Sequence, residues 1–347
     1  MVERKLFLLC FHGGYYGGKM RKIYKLNEAD IKINGRHRFT ESGALEINWS
    51  ASGFEMNFKA ERVNVLFVPD YVEDQVCYIG VYLDGGMIQK FPIVSGAETL
   101  MVENISSGEH HLKLVKLSEG NRILKIESIE LVGDDAELLS KPEYSTRFEF
   151  LGDSITCGFG DIAEQDMPVF LTRDEDVTKT YAYLTAEHFN AELRIEAYSG
   201  QGIVRNCNGR VDYPIPHFFS HELRRVDEAH DFDSWTPDVV VINAGTNDCG
   251  GRVTDDEFHD GAKAFLCHIR EVYPKAQIVW IYGMMGLRYE KVIASVVEEL
   301  CDSNIHFLPV ESISREMNEV GAVGHPNEKG QKRAAQALIS KISELIG

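Results

Sequence analysis

The sequence predicts a mixed α/β protein in two parts: a β-sandwich of jelly-roll type, followed by a domain of alternating strands and helices on a mostly parallel sheet. Three observations carry this expectation. The chain has 347 residues, about twice the length of a usual single domain. From about Ile31 to Gly133 apolar residues recur with period two and no stretch has a helical period. After Pro142 the pattern switches to strands alternating with helices. Gly, Asp, Ser and Pro accumulate near Asp134–Tyr144, so the expected domains are residues 1–143 and 144–347.

In the first part, Leu45–Trp49 and Phe54–Phe58 alternate across a Ser-Ala-Ser-Gly turn, and Val63–Val68, Cys77–Leu83, Thr99–Ile105, His111–Leu117 and Ile123–Val132 continue the series. Turn signals such as Asp84-Gly85-Gly86 separate the runs. Many short strands at this spacing indicate a sandwich. In the second part, strands are expected at Arg147–Leu151, Leu193–Tyr198, Asp238–Asn243, Gln277–Tyr282 and Ile305–Leu308. The Asp238–Asn243 run is continuously apolar over Val239–Ile242, as buried parallel strands are. Helices are expected at Thr178–Phe189, after the Thr254/Glu257 capping box, at Glu290–Cys301, and from Pro326 onward.

Composition narrows the partners. Lys plus Arg total 36 against 54 Asp plus Glu, a formal charge of −18. Nucleic-acid binding needs a basic face, and an anionic membrane surface would repel this chain, so neither partner is expected; a neutral substrate is compatible. The seven cysteines are scattered without a Cys-x-x-Cys pair, which leaves zinc knuckles and thioredoxin chemistry without a foothold. Leu6–Phe11 is too short for a secretory core, and Leu9 before Cys10 is not the small residue that lipid attachment requires. A cytoplasmic protein is expected, with secretion the alternative.

In an open parallel sheet, function gathers at the carboxyl ends of the strands. Those ends carry Gly152-Asp153-Ser154-Ile155-Thr156, Ser199-Gly200-Gln201-Gly202 and Gly245-Thr246-Asn247-Asp248, and His325-Pro326-Asn327 precedes the last helix. A serine at a strand-to-helix turn can act as a nucleophile, a histidine can move its proton, and glycine N–H groups with an asparagine amide can meet an oxyanion. Together they specify acyl transfer through a serine ester.

These blocks, in this order and spacing over about Phe148–Gly347, resemble those of the SGNH, or GDSL-type, hydrolases. With a sandwich placed before them, the whole chain resembles carbohydrate esterase family 2, two-domain deacetylases of acetylated xylan, mannan and smaller sugars. The resemblance implies a flavodoxin-like hydrolase domain with no metal and no organic cofactor. It also implies an acetylated carbohydrate as substrate, and leaves the oligomeric state open. It assigns Ser154 as nucleophile, His325 as general base, and Ser154 N–H, Gly200 N–H and the Asn247 amide as the oxyanion hole. Gly202 is close enough in sequence to exchange with Gly200. Asp153 and Asp248 are expected to hold backbone N–H groups in the turns.

One position departs from the family. An aspartate usually stands three residues before the histidine, where this chain has Ala322. A backbone carbonyl can fix the imidazole tautomer instead, so a Ser–His dyad is expected, with Glu319 the weaker candidate for a third member. Two other readings keep a place: a short-chain alkyl or lysophospholipid esterase with the same residues, and a non-catalytic carbohydrate-binding protein. Trp235, Trp280 and Tyr213 are candidates to stack on a sugar, although aromatic residues more often fill cores. Cys157 is read as a small residue packed under the first helical turn. The pairs His110/His111, His217/His221 and His259/His268 lack a coherent partner set for zinc.

Overall fold

The structure, a computed structural model, describes residues 14–16, 18–68, 76–94, 96–120 and 122–346; the reading of Leu6–Phe11 and Cys10 falls outside them. Two antiparallel sheets make the N-terminal part. One holds seven strands: Gly14–Tyr16, Lys19–Tyr24, Arg38–Phe39, Leu45–Ile47, Arg62–Phe67, Glu98–Val102 and Leu124–Gly133. The other holds six: Lys32–Asn34, Gly53–Lys59, Cys77–Leu83, Gly86–Ile93, His110–Lys116 and Glu137–Leu138. Val63, Val65 and Phe67 from the first sheet and Phe54, Met56, Ile79 and Leu112 from the second share one buried core, the inward halves of alternating strands.

Lys19–Tyr24 and Gly86–Ile93 are strands that the period-two pattern does not reveal. The first, Lys-Met-Arg-Lys-Ile-Tyr, is nowhere fully buried. The second lies at a sheet edge, exposes its first four residues and pairs only with Cys77–Leu83. Neither needs an apolar face.

The second part is a five-stranded sheet, all parallel, with strands β1 (Arg147–Gly152), β2 (Glu192–Ala197), β3 (Val239–Asn243), β4 (Gln277–Tyr282) and β5 (Ile305–Pro309) in the order 2-1-3-4-5. This is the flavodoxin-like order, in which the chain reverses its direction of winding between β1 and β3. Its helices are α1 (Ser154–Cys157), α2 (Tyr181–His188), α3 (Ile215–Phe219), α4 (Thr246–Gly250), α5 (Asp255–Val272), α6 (Glu290–Leu300) and α7 (Glu328–Ile346). The Thr254/Glu257 capping box closes in both directions at the start of α5. Among the described residues, no helix is long and apolar enough to cross a membrane.

The two parts share their interior. Trp49, fully buried, packs on Phe218 of α3 at 5.3 Å and donates its indole N–H to Glu222 O at 2.9 Å. Ala51, Val115 and Leu117 join the core beneath α1 and α2. Arg36, also fully buried, reaches from the sandwich to Glu149 of β1 at 2.8 Å and Glu196 of β2 at 3.4 Å, and donates to the carbonyls of Phe219 and His221. Burial pushes the Glu196 carboxyl up and the Arg36 charge pulls it back. Arg36→Ala would strand two buried carboxylates, so a loss of about 3–5 kcal/mol in urea-unfolding free energy is expected; a loss below about 1 kcal/mol would contradict the anchor.

Candidate active site

The Gly152–Thr156 turn forms because Asp153, in extended conformation, caps α1: its Oδ1 accepts from Ile155 N–H at 3.0 Å. Ser154 therefore stands at the first position of a helix at the carboxyl end of β1. The last helix is latched to this turn by Gln331, fully buried, which donates to Ile155 O at 2.8 Å and accepts from Tyr181 N–H at 2.9 Å. That latch brings the loop before α7 over α1. His325 Nε2 lies 2.9 Å from Ser154 Oγ, within reach for proton transfer.

The orientation of His325 comes from the backbone. Its Nδ1 lies 3.3 Å from Val323 O, which accepts the Nδ1–H and leaves Nε2 unprotonated toward the serine. Val323 reaches this position in the left-handed region, with φ 51° and ψ 34°, where a β-branched residue is strained by about 1–3 kcal/mol. Position 322 is closely packed against Gly160. Ala322 is fully buried, and a Cβ built on Gly160, which has φ +66°, would lie 2.4 Å from Ala322 Cβ. Glu319 is engaged elsewhere: its carboxylate pairs with Arg333 at 2.7 Å and accepts from Ser314 N–H at 3.0 Å. Burial pushes the His325 imidazole below its ordinary range, partly opposed by the carbonyls of Val323 and Ala322.

Gly200 and Gly202 separate cleanly. Gly200 has φ +80°, and its N–H finds no acceptor among the described residues. Gly202 donates to Asn206 Oδ1 at 3.3 Å, and a Cβ there would lie 2.0 Å from Arg205 O, so that glycine serves the turn. The Ser154 N–H, at the start of α1, has no intrahelical partner. Asn247 stands beside these groups, but its Nδ2 already donates to Asp153 Oδ2 at 3.0 Å and to Gln201 O at 2.8 Å. Two donors are thus free and the third is engaged. Asp248 holds the neighbouring turn by accepting from the N–H groups of Ile203, Val204 and Arg205 at 2.8–3.0 Å. Burial, reinforced by the Asp248 charge, pushes Asp153 up to about 7.

Phe159 was not singled out by sequence, and its ring lies 4.5 Å from that of His325 and stacks at 3.7 Å on Phe170. Met167, Val169 and Leu171 are exposed on the same loop, and Val323 N–H donates to Met167 O at 2.8 Å. Trp280 and Trp235 are buried, the latter under Arg194 at 4.2 Å, and so are unsuited to stacking on a sugar; Tyr213 is exposed at 36%. A second Ser–His–Asp array, Ser106, His110 and Asp84, occurs on the sandwich, but His110 Nε2 is closer to Ser106 O (3.0 Å) than to its hydroxyl (3.3 Å), the geometry of a turn brace. The ligand atoms of Glu119, Cys157 and Glu175 gather within 4.8 Å in the interior. Burial pushes both the Cys157 thiol and the Glu175 carboxyl up, and the three residues bond to one another, Cys157 Sγ donating to Glu119 Oε2 at 3.4 Å and Glu119 N–H to Glu175 Oε1 at 3.1 Å.

A serine with an adjacent imidazole and two open N–H groups defines a serine acyl hydrolase. Residues 150–333 match the GDSL-like lipase/acylhydrolase family, and the chain belongs to that family. Residues 33–142 match the carbohydrate esterase 2 N-terminal domain. The chain is 27% identical over 331 residues to the cellulase/esterase CelE of Acetivibrio thermocellus, covering 91% of this chain and 40% of that protein. It is 26% identical over 326 residues to an acetylxylan esterase/glucomannan deacetylase of Cellvibrio japonicus, covering 86% of each. A family two carbohydrate esterase from Clostridium thermocellum, solved in complex with cellohexaose, superposes with a TM-score of 0.86 at 26% identity, over 91% of this chain and 99% of that one.

Two outcomes test this geometry. An NMR titration of the His325 ring, assigned by comparison with His325→Gln, is expected to have its midpoint below 6.5; a midpoint above 6.5 would contradict the buried, carbonyl-held imidazole. Ala322→Asp is expected to lower the melting temperature without raising kcat, and a faster enzyme would show that a carboxylate fits after all.

Proposed function

We propose that this protein is a carbohydrate O-acetyl esterase that removes acetyl groups from acetylated xylan- or mannan-type oligosaccharides. The observation that carries the chemistry is the 2.9 Å approach of His325 Nε2 to Ser154 Oγ beside two unengaged N–H donors. Support for the substrate class is the likeness over nearly the whole chain to family 2 carbohydrate esterases, together with a charge of −18, which a neutral acetylated sugar meets without repulsion.

Ser154 Oγ attacks the acetyl carbonyl while His325 Nε2 takes its proton. The oxyanion is held by Ser154 N–H and Gly200 N–H, and Asn247 joins as the substrate oxygen competes for the hydrogen now lent to Gln201 O. The protonated imidazole, stabilised through Nδ1–H by the Val323 carbonyl, returns the proton to the departing sugar hydroxyl. Water then attacks the acetyl-enzyme with His325 again as base, releasing acetate.

Phe159 and Phe170 favour a second reading, an esterase of short alkyl or lysophospholipid chains, because they place an apolar wall against the histidine. A single assay separates the readings. Acetylated xylo- and manno-oligosaccharides are expected to be better substrates than butyrate or longer esters, and Ser154→Ala to lose at least about 10³-fold in kcat. A preference for long acyl chains would favour the second reading, and equal rates in wild type and Ser154→Ala would exclude both.

A further inference from the structure

Glu119 lies in the turn between the last two long strands of the sandwich, 6% exposed, and its carboxylate points into the hydrolase part. Its Oε2 accepts from Ser199 N–H at 2.7 Å and from the Cys157 thiol at 3.4 Å. Ser199 immediately precedes Gly200. Cys157 ends the single turn of helix that begins at Ser154, and its Sγ lies 3.6 Å from Ser154 O. One carboxylate oxygen thus ties together the two loops that supply the free oxyanion donors.

The Glu119 backbone is itself held in place on both sides. Glu119 N–H donates to Glu175 Oε1 at 3.1 Å, and Lys116 Nζ, almost fully buried, donates to Glu119 O at 2.7 Å. Arg224 lies over the Tyr198 ring at 3.2 Å and donates to the sandwich, from its guanidinium to Gly120 O at 3.5 Å and from its backbone N–H to Asn48 Oδ1 at 3.3 Å. The turn before Gly200 is therefore braced by the sandwich through both Glu119 and Arg224. Because burial keeps the Cys157 thiol protonated, its S–H remains a donor to Glu119.

We propose that Glu119, contributed by the N-terminal sandwich, is a positioning residue of the oxyanion hole, which holds Gly200 N–H at the correct separation from Ser154 N–H. This rests on the serine-hydrolase reading of the site, and it assigns the sandwich a direct part in the chemistry. A displacement of about 1 Å at such a donor costs up to about 10²-fold in rate.

The test uses the full chain and a fluorophosphonate, which reacts with an activated serine whatever the natural ester. Glu119→Ala is expected to slow phosphonylation of Ser154 and to lower kcat for an acetyl ester by about 10- to 100-fold, with KM little changed. Glu119→Gln keeps an oxygen for Ser199 N–H and is expected to return within about five-fold of wild type, the difference between a charge-assisted and a neutral hydrogen bond. A Glu119→Ala protein that is phosphonylated at the wild-type rate would overturn the proposal. So would one whose final labelled fraction falls while the rate of the remaining molecules is unchanged, since that is loss of folded protein. If wild type is labelled but does not turn over acetyl sugars, the substrate reading fails while the labelling rates still decide the role of Glu119.

Discussion

The hydrogen bond between Ser154 Oγ and His325 Nε2 spans 171 positions of sequence, and most of the hydrolase part can be understood as the means of making it. A serine at the end of the first parallel strand meets a histidine from the loop after the fifth only if the register of the whole sheet, the seating of α7 and the turn at 321–325 agree. Gln331 enforces the second condition by bonding α7 to both α1 and α2. The third is enforced by a strained residue. Val323 adopts a left-handed conformation with its carbonyl facing Nδ1, and Ala322 beside it packs closely against Gly160. Local strain of this kind is retained at a site because the rest of the fold over-determines it.

The sandwich is part of the same mechanical unit. Trp49, Arg36 and Glu119 enter the second part at three depths: the α3 core, the underside of β1 and β2, and the loops at the carboxyl ends. A domain attached only for tethering a substrate would not require a buried guanidinium between two carboxylates of its neighbour, nor a carboxylate bonded to Ser199 N–H beside Gly200. The two parts are expected to unfold together, because neither can close its interior alone.

Much of this was legible in the sequence, for physical reasons that differ by region. The four loops at strand ends stood out because acyl transfer would restrict residue type so strongly at each, and the fold does bring Ser154 and His325 together. The absent aspartate at Ala322 was readable for the same reason, and it pointed to a carbonyl such as that of Val323. The period-two strands buried on one face were readable, whereas Lys19–Tyr24 and Gly86–Ile93 were not, because exposed and edge strands need no alternation. Arg36, Glu119, Phe159 and Phe170 left no local signal. Their roles arise from contacts across long separations, Arg36 to Glu149 across 113 positions, and no spacing rule encodes such a pairing. The engagement of Asn247 with Asp153 and Gln201 was hidden too, since a sequence gives the identity of an amide and not the direction of its hydrogens.

Turnover is expected to pass through an acetyl ester on Ser154, formed with a histidine oriented by a backbone carbonyl. Rapid acid quench during turnover of an acetylated oligosaccharide, followed by peptide mass analysis, tests it most directly. One added acetyl group is expected on the peptide that contains Ser154, absent without substrate and absent in Ser154→Ala. Steady turnover with no acetylated Ser154 at any quench time, or with the acetyl group on another residue, would contradict it.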